Sequence, residues 1–316
     1  MRPRIAIALL AIAGAVLAVG LNRAGDGDDG SSGGEMGGAA GAAQRFAYLG
    51  PRGGGRGWLR ARAKQRSVVW AVGDAADGGS EAREVAAMIG SHRVDRFLYL
   101  GDVYERGTAA EFAGNYRPLY GRYDQTAAPT IGNHEWANVA TGYVPYWTVA
   151  RGKPPPFWYA SAASGWQLIS LNSNASISTS SEQLGWLRST IDRSPRYGTC
   201  RIAFMHHPIY SAGLHGGLAA LQPALAELGG NASILLSGHD HDMQRMRPIN
   251  GITQLVSGSG GGELYPVNRN DPRLAFYDDT HHGAVRLKLR PGRAVVSFVA
   301  SDGSVLDRSP VSCRQR

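Results

Sequence analysis

The sequence predicts an α/β fold for residues 67–316, and three observations support that prediction. Short apolar runs rich in β-branched and aromatic residues recur along the chain, bounded by Gly, Asp or Pro, which is typical of buried strands. Stretches with helical periodicity lie between these runs, and strands that alternate with helices indicate a layered α/β domain. Two further apolar runs flank the turn residues 290–293, which predicts a C-terminal hairpin with antiparallel strands.

The individual elements follow from these patterns. Buried strands are predicted at 67–72, 96–100, 166–171, 201–205 and 232–236. Helices are predicted at 81–89, 181–191 and 218–228, where apolar side chains recur three and four positions apart. The hairpin pairs 284–289 with 294–299, and a short strand follows near 304–306. The sequence has no internal repeat.

Composition excludes several classes of protein. The 316 residues are 43% hydrophobic and 18% charged, which excludes a chain disordered throughout, a collagen-like repeat and a disulfide mini-scaffold. The net charge of +8 is concentrated in residues 1–66, and the remaining residues carry only +2. A nearly neutral body gives no reason to expect specific nucleic-acid recognition.

Residues 1–24 resemble an export signal. Arg2 and Arg4 precede an apolar run at 5–21. This run is long for a cleaved signal and short for a spanning helix of about 20 residues, so cleavage and retention as an N-terminal membrane anchor both remain open. Either outcome places the rest of the chain outside the cytoplasmic membrane, secreted or tethered. Residues 25–66, Gly-rich and then basic, are predicted to be a flexible linker before the domain at 67–316.

The chain has two cysteines, Cys200 before an apolar strand and Cys313 in the C-terminal tail. In an exported chain, a disulfide between them is expected, clamping the tail to the body. Two free thiols are the alternative.

Polar residues follow the ends of the apolar strands. Because the carboxyl ends of strands form the ligand crevice of an α/β sheet, clusters placed there are expected to converge on one site. A glycine before most of these clusters permits tight turns and close approach of the backbone. The clusters contain Asp74, Asp102, Asn133, His134, His206, His207, His239 and His241.

The residue types indicate which ligand this site would bind. Carboxylate, amide oxygen and imidazole, with no thiolate nearby, are donors that suit first-row metals such as Mn, Fe and Zn. They do not form a cysteine-based structural zinc site. One carboxylate can bridge two metal ions about 3.5–4 Å apart, and such a pair activates water and clamps phosphoryl oxygens. The sequence therefore predicts phosphoester hydrolysis.

The ordered series Gly-Asp, Gly-Asp-x-Tyr, Gly-Asn-His-Glu, His-x-Pro and Gly-His-x-His resembles the calcineurin-like metallophosphoesterase superfamily, nearest its purple-acid-phosphatase-like bacterial branch. The resemblance spans about 67–306. It implies a four-layer sandwich of two mixed β-sheets flanked by helices. It also implies a site that holds two divalent or trivalent transition metals, with Fe, Mn and Zn all open.

The resemblance also implies roles for individual residues. Asp74 and His241 would bind the first metal, Asp102 would bridge both, and Asn133, His206 and His239 would bind the second. His134 would contact the phosphate and steady the leaving oxygen. His215 lies nine residues after His206, the spacing of another substrate-facing histidine in purple acid phosphatases.

Two positions depart from that branch or test it. Ala76 stands where other branches carry a histidine ligand, which agrees with the type in which a tyrosinate replaces it. Tyr104 lies two residues after Asp102 rather than three, so either a shorter loop still lets Tyr104 reach the first metal or that metal lacks its tyrosinate. His207 is expected to pack against Pro208 or to support a ligand, and a catalytic role is the alternative.

The resulting hypothesis is an exported binuclear phosphoesterase that hydrolyses small-molecule phosphate monoesters by attack of a metal-bound hydroxide. A phosphodiesterase acting on nucleotides or lipid head groups is the alternative, with 143–158 and 211–217 as expected cleft walls. A non-catalytic metal-binding scaffold is a second alternative, and missing ligand residues would indicate it.

Overall fold

The computed structural model describes residues 58–59 and 65–315. The predicted signal or anchor at 1–24 and most of the predicted linker lie outside these residues. Trp58 and Leu59 belong to that linker, yet they are only 4% and 6% exposed and pack into the core. Arg151 donates from Nη1 to the Trp58 carbonyl at 3.1 Å, and its guanidinium lies 4.1 Å from the Trp58 ring centroid. This pair therefore docks on the domain.

The described residues form two mixed β-sheets. The first has the strand order β13-β12-β11-β1-β2-β3 and the second β10-β8-β9-β7-β6-β5-β4. The strands are β1 (Ser67–Val72), β2 (Arg96–Tyr99), β3 (Ala127–Pro129), β4 (Tyr159–Ala163), β5 (Trp166–Ser170), β6 (Arg201–Phe204), β7 (Ile234–Ser237), β8 (Met243–Met246), β9 (Thr253–Ser257), β10 (Leu274–Asp278), β11 (Gly283–Arg290), β12 (Arg293–Ala300) and β13 (Val305–Ser312).

Helices connect and cover the strands. The α-helices are α1 (Ser80–Gly90), α2 (Ala109–Glu111), α3 (Arg117–Tyr120), α4 (Asn133–Trp136), α5 (Tyr143–Arg151), α6 (Glu182–Asp192) and α7 (Gln222–Leu228). A π-helix at Phe112–Tyr116 joins α2 to α3, and 3-10 turns occur at Gly121–Tyr123, Pro195–Tyr197 and Ala219–Leu221. Within the described residues, no helix is long and apolar enough to cross a membrane.

Parallel pairing brings several strand ends to the same edge. In the first sheet β1, β2 and β3 run parallel, and in the second β5, β6, β7 and β9 do. The C-terminal strands β11, β12 and β13 pair antiparallel, as the sequence predicts. The observed β13 is longer than the predicted 304–306, and because it is an edge strand it tolerates Pro310.

Two large clusters of buried apolar side chains form most of the core. Their arrangement confirms the predicted α/β architecture of two mixed sheets flanked by helices. Apolar side chains of both sheets share one cluster, which includes Trp70, Phe97, Phe204 and Leu255. A second cluster packs α6 and α7 against β5, β6 and β7. Buried Tyr143 and Trp147 place α5 in the first cluster. The expectation that 143–158 walls the cleft stays a prediction.

Disulfide Cys200–Cys313 links the start of β6 to the tail after β13, with Cα atoms 5.0 Å apart. Main-chain bonds accompany it, because the Thr199 N–H donates to the Arg314 carbonyl at 2.8 Å and the Cys313 N–H to the Gly292 carbonyl at 3.0 Å. The expected clamp between tail and body is present.

Candidate metal centre

The candidate site residues follow strands of both sheets. Asp74, Asp102 and Asn133 come after β1, β2 and β3 of the first sheet. His206 and His239 come after β6 and β7 of the second. Because these strands are parallel neighbours within each sheet, their carboxyl ends lie at one edge, and the two edges meet at the site.

Side chains bridge the two edges directly. The His239 N–H donates to Asp74 Oδ2 at 2.9 Å. His206 Nδ1 lies 2.9 Å from the Leu100 carbonyl oxygen, at the end of β2. Each contact joins a residue of one sheet edge to a residue of the other, so the seam between the sheets is where the polar residues converge.

The turns that carry these residues adopt left-handed backbone conformations. Asp74, Asp102 and His239 have φ values of 58°, 67° and 73°. Such conformations cost L-residues about 1–2 kcal/mol each and collect at functional sites. Gly101 has φ 102°, and a Cβ there would lie 2.7 Å from His206 Nδ1. The close approach expected of the glycines is therefore required at Gly101.

Asp102 is the centre of one group of contacts. His206 Nε2 lies 3.3 Å from Asp102 Oδ2 and 2.8 Å from Asn133 Oδ1. The His134 N–H donates to Asp102 Oδ1 at 3.1 Å, and His134 Nε2 lies 3.9 Å from Asp102 Oδ2. Asp102 and His206 are almost fully buried, whereas the His134 side chain is 26% exposed. His134 therefore faces the open side of this group.

Asp74 is the centre of a second group, which contains Tyr104. Tyr104 Oη donates to Asp74 Oδ1 at 3.1 Å and lies 2.7 Å from His241 Nε2. His241 Nε2 lies 3.5 Å from Asp74 Oδ1. The short spacing after Asp102 thus does not prevent the Tyr104 hydroxyl from reaching the residues predicted to bind the first metal.

The imidazoles present their Nε2 atoms to the site. Nδ1 of His241 lies 2.7 Å from the Glu263 carbonyl oxygen, and Nδ1 of His134 lies 2.7 Å from the Glu105 carbonyl oxygen. His206 is held by a carbonyl in the same way. Because a carbonyl oxygen only accepts, Nδ1 carries the proton in each ring. Metal-ligating histidines typically have this arrangement, which leaves Nε2 to the ion.

His215 borders the site beside His239 and Tyr265. Its backbone N–H donates to Asp240 Oδ1 at 2.8 Å, which anchors its loop. Its ring centroid lies 4.7 Å from that of His239 and 5.2 Å from that of Tyr265. His134 contacts the Tyr104 ring at 4.5 Å. The two histidines predicted to face substrate therefore contact different members of the cluster, Tyr104 and His239.

Opposite charges shift pKa values within the buried cluster. Burial raises the pKa of Asp102, but the adjacent His206 holds it below its usual range. Burial lowers the pKa of His206, and Asp102 raises it to about 10. Burial also lowers the pKa of His241, and Asp74 raises it to about 9. The protons on these imidazoles place positive charge beside the carboxylates, and a metal ion can replace that charge.

These side chains fit a metal centre. Two groups have ligand atoms within 4.8 Å of one another, and both contain His206. The donors are carboxylate oxygen and imidazole nitrogen, which suit first-row transition metals. The groups are Asp74, Asp102 and His206, and His206, His207 and His239.

Sequence reasoning missed three neighbours of the site. Tyr265 stacks on His241 with ring centroids 4.3 Å apart and planes at 8°. Glu135 accepts hydrogen bonds from the backbone N–H groups of Gly132 and Val103, at 2.9 and 3.2 Å. Ser173 contacts His207. Glu135 stands in the Gly-Asn-His-Glu motif, which is a usable signal, whereas no local pattern marks Tyr265 or Ser173.

A family model of the calcineurin-like phosphoesterases matches residues 67–243, which is more than half of the chain. The chain belongs to the calcineurin-like phosphoesterase family. The match runs from β1 to the first residue of β8 and includes every predicted ligand. The superfamily expected from the motifs is therefore confirmed.

Curated relatives of this phosphoesterase include tartrate-resistant acid phosphatase type 5 of Mus musculus and of Homo sapiens. Both are 27% identical to it over 146 residues, which make up 42% of this chain and 43% of each relative. The chain thus spans less than half the length of these relatives. They confirm the expected likeness to purple acid phosphatases at the level of the family.

Solved structures share the fold of this phosphoesterase. GAP50, the anchor in the inner membrane complex of Plasmodium, superposes with a TM-score of 0.67 at 17% identity, covering 80% of this chain and 90% of that one. Purple acid phosphatase PPD1 from yellow lupin superposes with a TM-score of 0.60 at 16% identity, covering 78% and 54%. At such identities the likeness concerns the fold alone.

Proposed function

We propose that this protein is an exported phosphatase that hydrolyses phosphate monoesters of small molecules at a pair of transition metal ions. The observation that carries the proposal is the convergence of two ligand groups that share His206, with ring Nδ1 atoms anchored and Nε2 atoms facing inward. The first ion is assigned to Asp74, Asp102, Tyr104 and His241, and the second to Asp102, Asn133, His206 and His239.

Metal ions held there would supply an activated water and neutralise charge on the phosphoryl oxygens. The residues around them do the remaining work. Asp102 would hold both ions, and its contacts with His206 and with the His134 backbone N–H fix its carboxylate. His134 is fixed through Nδ1 by the Glu105 carbonyl, so Nε2 is positioned to bind a phosphoryl oxygen and to give a proton to the leaving oxygen. His215 contributes a second imidazole beside His239.

Electrostatics favour this role for His134. Burial lowers its pKa, but the charge of Asp102 and the hydrogen bond to the Glu105 carbonyl raise it above the ordinary value for histidine. A raised pKa keeps Nε2 protonated at mildly acidic pH, where a proton must be delivered to the departing alkoxide. The relation to acid phosphatases supports monoesters as the substrate class.

Hydrolysis of para-nitrophenyl phosphate and of its bis ester by the 316-residue chain, loaded with Mn²⁺, Fe or Zn²⁺, tests the proposal. We expect monoester turnover, with kcat about 10²–10⁴-fold lower in His134→Ala because a general acid is lost. Asn133→Ala should lower metal content as well as rate. His281→Ala, an exposed histidine bonded to Asp278, is the matched control and should retain both.

The outcomes separate the alternatives. A preference for the bis ester would make the protein a phosphodiesterase. Inactive protein that stays metal-free after reconstitution would make it a scaffold. Undiminished hydrolysis in both Asn133→Ala and His134→Ala would refute the assignment of the site.

Export is proposed on the N-terminal pattern at 1–24. Disulfide Cys200–Cys313 supports it, because such bonds persist in oxidising compartments. Cell fractionation with N-terminal sequencing of the recovered protein tests this part. Recovery from the cytoplasm with an intact N-terminus and reduced cysteines would refute it.

A further inference from the structure

His207 lies inside the imidazole cluster rather than behind it. Its ring centroid is 5.0 Å from that of His206 and 4.4 Å from that of His239, and the latter two are 5.1 Å apart. His207 is partly exposed, like His239.

The spacing of the three rings matches rings gathered around one ion. Imidazoles bound through nitrogen at about 2.1 Å, with near-tetrahedral angles, have ring centroids about 5 Å apart. The ligand nitrogens of His206, His207 and His239 lie within 4.8 Å of one another. The three side chains therefore lie close enough together to hold one ion.

Ser173 contacts both the ring and the backbone of His207. The Ser173 hydroxyl lies 2.8 Å from His207 Nδ1, and it also accepts the His207 backbone N–H at 3.0 Å. Two contacts from one hydroxyl fix both the backbone and the ring. With Nδ1 engaged, Nε2 is the nitrogen left to an ion, as it is in His206 and His241.

We propose that His207 is a further ligand of the second metal, which joins His206 and His239 to make a three-imidazole site. This rests on the proposed function, since it assigns a residue to the metal pair on which that function depends. Three imidazoles beside one amide and one carboxylate oxygen shift the donor set towards nitrogen. Nitrogen donors favour Zn²⁺ over Mn²⁺, so the second position should select zinc.

Metal affinity tests the proposal without reference to catalysis. Chelator competition with Zn²⁺ and separately with Mn²⁺ is run on the 316-residue chain and on His207→Ala, His207→Asn and Ser173→Ala. We expect the Kd of one Zn²⁺ to rise at least tenfold in both His207 variants, because even outer partners of ligands are worth about 10–100-fold. The Kd for Mn²⁺ should rise less, so the Zn²⁺ to Mn²⁺ selectivity falls. Ser173→Ala should show a smaller change in the same direction.

Controls distinguish the possible failures. His281→Ala should leave both affinities unchanged, and circular dichroism of metal-free protein checks that each variant folds. If His206→Ala weakens Zn²⁺ binding and the His207 variants do not, His207 is not a ligand. A raised KM for para-nitrophenyl phosphate with unchanged affinity overturns the proposal in favour of a substrate contact. If His206→Ala and His239→Ala also keep their metal affinity, the proposed metal centre is wrong. The proposed function and the proposal for His207 then fail together.

Discussion

Removal of the disulfide provides a quantitative test of how the tail is held. Cys200 and Cys313 are 113 positions apart, so the bond closes a long loop in the unfolded chain. On the chain-entropy relation, a loop of this length stabilises the folded state by about 4.8 kcal/mol at 25 °C. The double variant Cys200→Ala, Cys313→Ala should lose about that much, which is a large share of the roughly 5–15 kcal/mol typical of folded proteins.

The free energy of unfolding should fall mainly because the unfolded chain gains conformational entropy. The main-chain bonds from Thr199 to Arg314 and from Cys313 to Gly292 persist without the sulfur bridge, so the native tail stays paired. Urea unfolding followed by tryptophan fluorescence measures the free energy of unfolding and its urea dependence. The slope should increase in the variant, because an uncrosslinked chain exposes more surface. Wild-type protein in reductant is the control. A change below about 1 kcal/mol, with an unaltered slope, would refute the reasoning.

Three further outcomes are expected. Burial raises the pKa of Asp124 to about 6, against the hydrogen bond from Tyr146, so its folded form retains a proton that the unfolded chain releases near pH 4. Stability is therefore lost as pH rises from about 4 to 6. Asp124→Asn should regain about 1 kcal/mol at pH 7, after allowance for partial exposure, and its unfolding temperature should depend less on pH over that range. Equal pH profiles of the variant and the wild type would contradict this. A Cβ at Gly213 would lie 2.5 Å from Asp240 Cγ, so Gly213→Ala should displace the loop that carries His215 and lower kcat/KM about tenfold with metal content intact. Its control, Gly185→Ala in α6, meets no neighbour and should retain activity, and a wild-type rate in Gly213→Ala would argue against a role for the loop. Trp58→Ala should cost about 3 kcal/mol in urea unfolding, since Trp58 is 4% exposed, and no loss would mean that the linker does not dock.

Much of the fold could be predicted because its strands carry local signals. β1 spans the predicted residues, and β2, β5, β6, β7, β11 and β12 differ from prediction by a few residues at their ends. Others escaped prediction because pairing, not local pattern, stabilises them. β8 includes Gln244 and Arg245 and becomes a strand only between β9 and β10. The predicted helix at 218–228 divides into a 3-10 turn and α7, where Pro223 occupies the first helical turn.

The candidate site was predictable where polar residues directly follow strands. Asp74, Asp102 and His239 lie at such positions, so the sheets bring them together once the fold is known. The position of Tyr104 was not predictable, because its spacing after Asp102 allowed either outcome and only the loop path decides. Tyr265 stands in a loop without a motif, and its stacking on His241 depends on tertiary folding. Ligand roles remain predictions for the metal experiments to test.

Because Asp74 and Asp102 come from one sheet and His206 and His239 from the other, ions bound at the seam would act as a cross-link between the two halves of the core. Metal binding and the folding stability of the sandwich are then thermodynamically linked. An ion present at 100 times its Kd adds about 2.7 kcal/mol to the stability of whatever it binds. Chelation should therefore lower the free energy of unfolding and loosen the contact between the two sheets.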